Sequence, residues 1–384
     1  MSMKYQGINL GNVKLSNRSS ILRLINNHGA MSRKDIAEAV GLTAASVTLI
    51  CTDLIDEGVL VEIGEAEEEK RAGRKKILVD INGDYRNVLC IAIETDETFI
   101  TVTDLKGQVI CTHSMPTKRG SDPAEFLCAV AEEARRLMWE NDITKERILG
   151  VSVTLPGLVE RARGLSLNTY NIWTKKIPVA EIIRQELGFT VVVENNLKAA
   201  AQSEIYFGFG RHVPDLFLLK WGPGVGSAVI IDGKLYQGAN GMAGEIGHMT
   251  SNKNGRSCNC GRKGCLETYV STHAILEDIF DSLGNSDEYR VDLNRLAGDE
   301  VRGIMDEKLD LLAHHLRNTV SILDPERVVL TGYMFDIPGF LTRFTDAYRE
   351  YDDSVQDDFF VKAHTTGDSK HIEGLAVVME ELFF

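Results

Sequence analysis

Three cysteines fall within eight residues in the string Cys258-Asn259-Cys260-Gly261-Arg262-Lys263-Gly264-Cys265, and His248 lies upstream in Gly244-Glu245-Ile246-Gly247-His248. This grouping leaves the surrounding chain few options. Three thiolates and one imidazole make the four ligands of a closed tetrahedral zinc site. Gly261 and Gly264 let a tight loop turn three sulfurs towards one point. The other cysteines, Cys51, Cys90, Cys111 and Cys128, are scattered, which argues for metal rather than a disulfide framework and for a reducing, cytoplasmic setting. With His248, Cys258, Cys260 and Cys265 all engaged, no position remains for an activating water. The zinc (Zn2+) is therefore read as structural.

A chain of 384 residues suggests two or three domains and can bury a large core. No apolar run approaches the roughly 18 residues of a membrane span, and no signal-like stretch opens the sequence, so no membrane role is expected. The net charge of −14 argues at first against nucleic acid. Its distribution does not: residues 1–86 hold 12 Lys/Arg and 12 Asp/Glu, so the whole excess of acid lies further on. A neutral N-terminal module could still approach DNA.

That module has a readable pattern. Ile21, Leu22, Leu24 and Ile25 form one helical face that stops at His28-Gly29. Ser32 is placed to cap a second helix carrying Ile36, Ala37 and Val40, ended by Gly41. Thr43 caps a third, with Val47, Ile50, Cys51 and Leu54 inward, closed by Gly58. Two β-like runs follow, Val59–Ile63 and Lys76–Ile81. Three short helices and a two-stranded wing describe a winged helix-turn-helix; a three-helix structural module is the alternative. The third helix would present Ala44, Ala45, Ser46 and Thr48 to the major groove, a modest set of hydroxyls and methyls.

Beyond Arg86 the pattern becomes α/β. Strands are expected at Val88–Ile93, Phe99–Leu105 and Gln108–Thr112, then a helix at Pro123–Glu140 and a strand at Ile148–Val153. Helix Ile182–Leu187, strand Val191–Glu194, helix Leu197–Phe207 and strands Leu216–Lys220 and Gly226–Ile231 follow. A helix from Glu267, two helices between Val291 and Leu323, and a strand at Arg327–Leu330 complete the alternation.

The string Gly238–His248, the Cys-x-Cys-Gly-x-x-Gly-Cys-x-Glu run, Pro156-Gly157, Val193-Glu194-Asn195, Gly222–Gly226, Leu323-Asp324-Pro325-Glu326 and Gly374-Leu375-Ala376-Val377 together resemble the ROK family (repressors, open reading frames and sugar kinases). A helix-turn-helix in front resembles that family's repressor branch. The resemblance implies a winged helix-turn-helix over 1–82, followed by an actin-like, ribonuclease-H-type body in two lobes. One lobe would span 83–195, completed by helix 372–384, and the other 196–371. It also implies a sugar or sugar phosphate as ligand, with Gly157, Asn195, Asn196, Glu245, His248 and Glu267 at the sugar-contacting positions. His248 would then face zinc with one ring nitrogen and sugar with the other. Operator DNA is the implied partner, bound by a homodimer or homotetramer. The segment Arg71-Ala72-Gly73-Arg74-Lys75 is similar to the basic linker of family repressors, which points Arg71, Arg74 and Lys75 at DNA.

Whether such a chain still phosphorylates sugar turns on four elements. A family kinase carries Asp-x-Gly-Gly-Thr after its first strand; this chain reads Ala92-Ile93-Glu94-Thr95-Asp96, without the glycines and with two carboxylates where a triphosphate would come. The sugar-deprotonating Asp of Glu-Asn-Asp is replaced in Glu194-Asn195-Asn196, and an amide is no general base. The adenosine-contacting Gly-Gly-Gly reads Thr331-Gly332-Tyr333. Only Gly222-Pro223-Gly224-Val225-Gly226 keeps its form. The expectation is a non-enzymatic, sugar-responsive repressor of carbohydrate-utilisation genes. An ATP-dependent sugar kinase with an accessory domain, or a regulator controlled by a sugar-transport protein, are the alternatives.

Overall fold

The computed structural model describes residues 10–65, 76–169, 172–239, 241–284, 287–364 and 369–384. Contacts divide the chain into two compact units. One holds the residues up to Ala199 together with Lys370–Phe384, and the other holds Ala200–Ser369.

The first unit begins with helix α1 (Leu10–His28), which buries Ile21, Leu22 and Ile25. A two-residue strand, β1 (Met31–Ser32), leads into α2 (Arg33–Val40). Ser32 caps α2 by accepting the Asp35 N–H at 3.2 Å, and Gly41 ends it in the left-handed conformation. Thr43 caps α3 (Ala44–Asp56) by accepting the Ser46 N–H at 3.2 Å; Val47, Ile50, Cys51 and Leu54 are buried as their spacing requires. The chain bends by 118° between α2 and α3, within the helix-turn-helix range. Strands β2 (Leu60–Glu65) and β3 (Ile77–Ile81) form the wing, and β1 adds to β3 as a third strand that the sequence pattern does not announce.

The body of this unit is a five-stranded sheet. Strands β4 (Asn87–Ile93), β5 (Glu97–Thr103) and β6 (Val109–Pro116) run as an antiparallel meander. After helix α4 (Pro123–Glu140), strand β7 (Ile148–Leu155) pairs parallel with β4. A small hairpin, β8 (Leu158–Glu160) and β9 (Leu165–Asn168), and helix α5 (Val179–Leu187) precede β10 (Val191–Asn195), which is parallel to β7. Strand β4 is buried along its length, as a strand covered on both faces must be. Helix α6 (Asn196–Phe207) follows β10 directly.

The second unit repeats the order. Strands β11 (Leu216–Trp221), β12 (Val225–Ile231) and β13 (Lys234–Tyr236) form the meander. Helices α7 (Glu267–Val270), α8 (Thr272–Leu283), α9 (Asp287–Val291) and α10 (Arg302–Leu323) come next. Strand β14 (Arg327–Thr331) then pairs parallel with β11, and after α11 (Phe340–Arg349) strand β15 (Phe360–Lys362) pairs parallel with β14. The two helices expected between Val291 and Leu323 are one long helix preceded by two 3-10 turns, Leu293–Ala297 and Asp299–Val301. Gly298 separates those turns, so the apolar rhythm of Leu296, Val301 and Met305 spans a break.

Helix α12 (Lys370–Val378) closes the first unit by packing on β4 and β7. Gly374 permits that approach, because a Cβ there would stand 2.9 Å from Cβ of Cys90. The helix ends in a π-helical turn, Met379–Phe383. Among the described residues no single helix is long and apolar enough to cross a membrane.

Candidate functional site

The cysteine string folds back on itself between β13 and α7. His248 ends a 3-10 turn, Ile246–His248, and its Nδ1 lies 3.7 Å from Sγ of Cys258. Cys260 and Cys265 sulfurs are 3.6 Å apart, and all four ligand atoms lie within 4.8 Å of one another. Sulfurs bound tetrahedrally at 2.3 Å sit about 3.8 Å apart, so the cluster has the dimensions of a metal cage. The loop is held shut by Cys258 N–H on the Arg262 carbonyl (2.8 Å) and Gly264 N–H on the Arg256 carbonyl (2.7 Å). Gly264 has φ +70° and a Cβ there would overlap the carbonyl of Asn252, so the position admits only glycine. Burial pushes the thiols of Cys258 and Cys265 up, the latter to about 12. Burial also opposes ionisation of Cys260, but Arg262 side-chain and backbone donors bring it down to about 6. Three crowded sulfurs cannot all ionise without a cation among them, so the donor set fits a metal ion.

Behind the cage lies support that no local sequence pattern marks. Arg256 donates to the Thr268 carbonyl (3.0 Å), covers the Tyr269 ring at 5.1 Å and pairs with Asp278. Asp278 in turn holds Lys308 Nζ at 2.6 Å, and that lysine is only 4% exposed. The loop is thereby pinned to α8 and α10.

The positions expected to contact sugar form one group in each unit. In the second, Nε2 of His248 lies 3.9 Å from Oε2 of Glu245, and Oε2 of Glu267 accepts the Val225 N–H at 3.1 Å. Burial pushes the Glu267 carboxyl up, against that N–H. In the first, Asn195 Nδ2 donates to the Gly157 carbonyl at 2.8 Å. Its Oδ1 accepts the N–H groups of Leu197 (2.9 Å) and Lys198 (3.1 Å), capping α6. Most of the Asn195 amide is thus spent on scaffold. Asn196 is buried with its amide 3.5 Å from Glu94.

The turn after β4 differs from its expected electrostatics. Glu94 is not left to repel: Lys370 of α12 holds its Oε1 at 3.2 Å and Asn196 faces its Oε2. Asp96 pairs with Arg119. Burial disfavours the Lys370 charge, yet Glu373 and Glu94 together raise its pKa above the ordinary lysine value. In the second unit Tyr333 stands 3.2 Å from where a Cβ on Gly222 would be, with its hydroxyl 2.8 Å from that of Thr272. The Thr272 N–H and hydroxyl both donate to the Gly222 carbonyl at 2.9 Å.

On the winged helix, Ala44, Ala45 and Thr48 are exposed at the start of α3, and Ser46 is half-buried beside Thr43. Thr48 donates its hydroxyl to the Ala44 carbonyl at 2.7 Å, leaving its oxygen as an acceptor. Leu49, which the sequence likewise places at the start of the third helix facing the groove, is 68% exposed on the same face. Arg71, Arg74 and Lys75 lie outside the described residues. Every Lys and Arg described in this module is paired with a carboxylate: Lys14–Asp53, Arg18–Glu57, Arg23–Glu380, Arg33–Glu62, Lys34–Glu38 and Lys76–Asp35.

Comparison with known proteins places these features. The ROK family profile matches residues 88–381, and a winged helix-turn-helix DNA-binding profile matches residues 16–61. The chain is 31% identical over 333 residues to the xylose repressor of Caldicellulosiruptor bescii, covering 83% of each. It is 27% identical over 336 residues to the DNA-binding transcriptional dual regulator NagC of Escherichia coli, covering 84% of this chain and 82% of that one. Among solved structures it resembles a ROK family transcriptional regulator described as a homolog of the E. coli MLC protein, with TM-score 0.82, 23% identity and 97% of each chain covered. It also resembles a ROK hexokinase from Thermus thermophilus, with TM-score 0.65 and 26% identity over 76% of this chain and 97% of that one.

Proposed function

Because the chain belongs to the ROK family and carries a winged helix-turn-helix ahead of the ROK body, we propose that it is a sugar-responsive transcriptional repressor without kinase activity. The observation that carries the reading is the occupied turn after β4. Where a kinase would receive phosphate, Glu94 is bound by Lys370 and by Asn196, the residue standing at the position of the lost catalytic base. Tyr333, which stands in the place of the adenosine-contacting Gly-Gly-Gly, adds to this by lying against the Gly222 turn. The surviving Gly222–Gly226 run serves instead to hold Thr272 and Glu267 in place.

In this reading the DNA-binding module spans 1–82, with lobes at 83–195 plus 372–384 and at 196–371. Gly157, Asn195, Asn196, Glu245, His248 and Glu267 contact the sugar through donors and acceptors fitted to a ring of hydroxyls. His248, Cys258, Cys260 and Cys265 would hold zinc, which supplies a cross-link and no chemistry. Their loop then fixes His248 beside Glu245. Ala44, Ala45, Ser46 and Thr48 read bases, and Arg71, Arg74 and Lys75 hold phosphates or enter the minor groove. The protein works in the cytoplasm as a homodimer or homotetramer on operator half-sites, and the ligand shifts an equilibrium between DNA-competent and DNA-incompetent states.

A thermal-shift panel of monosaccharides and their phosphates, led by D-xylose and N-acetylglucosamine, tests this. A true ligand at 100 times its Kd adds about 2.7 kcal/mol of stability. A panel in which no sugar stabilises the zinc-loaded protein, or in which ATP is hydrolysed in a sugar-dependent way, contradicts it.

A further inference from the structure

Arg23, in the middle of α1, is the one described cation of the winged helix whose carboxylate partner lies in the final turn of the chain. Its Nη1 donates to Oε2 of Glu380 at 2.9 Å, and its guanidinium covers the Phe384 ring at 4.8 Å. The neighbouring Glu381 turns to a different arginine, accepting from Arg161 Nη2 at 3.1 Å. Arg161 gives its other nitrogen to Oε2 of Glu194 at 2.7 Å, and Glu194 is buried. The second oxygen of Glu194 accepts the backbone N–H of Asn195 at 2.9 Å. Arg161 also follows the β8 strand that leaves Gly157, whose carbonyl receives the Asn195 amide.

These contacts run inside a single unit from the Gly157–Asn195 corner to helix α1, as two arginine–carboxylate links joined through the backbone of Glu380 and Glu381. The two adjacent glutamates that serve different arginines sit on a π-helical turn, Met379–Phe383, closed by the Phe384 N–H on the Met379 carbonyl at 2.9 Å. Such turns are rare and concentrate at functional positions.

We propose that the segment Met379–Phe384 is a coupling strap. It transmits a change at the Gly157–Asn195 corner, through Arg161 and the Glu381–Glu380 pair, to the orientation of α1 and so to the DNA-binding module. Arg161 is a positioning residue in this scheme and touches neither sugar nor DNA. The inference rests on the proposed ligand role of Gly157 and Asn195. Its physical content is wider than that reading, because it requires two places bridged by the strap to share their opening equilibrium.

Hydrogen exchange on the full-length protein reads this without any ligand. Glu381→Gln takes the negative charge out of the link to Arg161 at a half-exposed position outside α1. The strap account expects exchange of the α1 amides around Arg23 to rise about threefold or more, the lower range of measured couplings. Arg23→Met should conversely raise exchange over Gly157–Arg163. Changes confined to the immediate contacts of each substituted residue would overturn the strap. In a parallel arm, DNA affinity is titrated with and without D-xylose as probe. Wild type should respond and Glu381→Gln should respond less, with unchanged D-xylose affinity. If wild type ignores D-xylose and the rest of the sugar panel while the exchange effects appear, the sugar reading fails and the strap stands. If D-xylose acts equally on both proteins and the exchange effects are absent, the strap fails and the sugar reading stands.

Discussion

The two sheets share one strand order, a three-stranded meander followed by two parallel additions, and each has a turn between its first two strands. The comparison between those turns is instructive. In the first sheet the turn reads Glu94-Thr95-Asp96; Glu94 is met by Lys370 and Asn196, and Asp96 pairs with Arg119 at the surface. In the second it reads Gly222-Pro223-Gly224, and its backbone is consumed by Thr272 while Tyr333 lies against it. A phosphate-binding turn needs N–H groups and space left open. The two turns are filled by different means: side-chain ion pairing in the first, and in the second a Gly222 carbonyl held by Thr272 with Tyr333 beside it. Corresponding turns of two sheets with one strand order are thus packed in unrelated ways, one by charge and one by an aromatic ring.

The largest effect should come from the second unit. Cys265→Ser, or exhaustive chelation, should remove the zinc and cost several kcal/mol, a fall in melting temperature of roughly 10 °C. Elemental analysis with calorimetry checks both. Protein purified without chelator that holds no zinc would remove the metal from the account. Asp278→Ala should come next. It strands the buried Lys308 charge and frees Arg256 from the loop, at about 3–5 kcal/mol, measurable by urea unfolding.

Lys370→Met probes the first turn and should cost about 3 kcal/mol, the lower end of that range, because it strands the buried Glu373 while Glu94 keeps partial access to solvent. The folded pKa of Lys370 is raised. Its contribution is therefore fully present below the unfolded lysine value of about 10.4 and lost as pH rises beyond it. The stability gap between wild type and Lys370→Met should be flat through neutral pH and narrow only in alkali. A gap that narrows between pH 5 and 8 would mean another group is responsible. In the same turn, Asn196→Asp alone should yield no sugar-dependent ADP formation, since Glu94 and Lys370 still fill the loop.

The smallest effects should be on DNA. Arg74→Ala should weaken binding on all sequences and reduce the salt slope by about one. Thr48→Ala should relax preference at one base step by about 1 kcal/mol with the slope intact. Because the described cations of the module are already paired, the wild-type slope itself should correspond to only a few phosphates.

What the sequence disclosed and what it hid follow a physical line. The caps at Ser32 and Thr43 and the buried face of α3 are local, so a few residues determine them. The Cys/His cluster is legible because its ligands lie close along the chain. The pairing of Glu94 with Lys370, and the Arg256–Asp278–Lys308 support, join residues on distant elements, and no periodicity marks them. The carboxylates of the first turn were expected to repel phosphate. That expectation lacked the lysine, which only the packing of α12 against β4 supplies. Short elements such as β1, β8 and β15 were missed because two to four residues carry no pattern of their own.

The central claim is that a sugar held at Glu245 and His248 governs DNA binding at the other end of the chain. Its most direct test is a titration of labelled operator, recovered by selection from random duplexes, against wild type and Glu245→Ala with and without the stabilising sugar. The account predicts equal DNA affinity for both proteins without sugar, a shift of tenfold or more on adding sugar to wild type, and no shift for Glu245→Ala. Equal sugar sensitivity in the two proteins would contradict it.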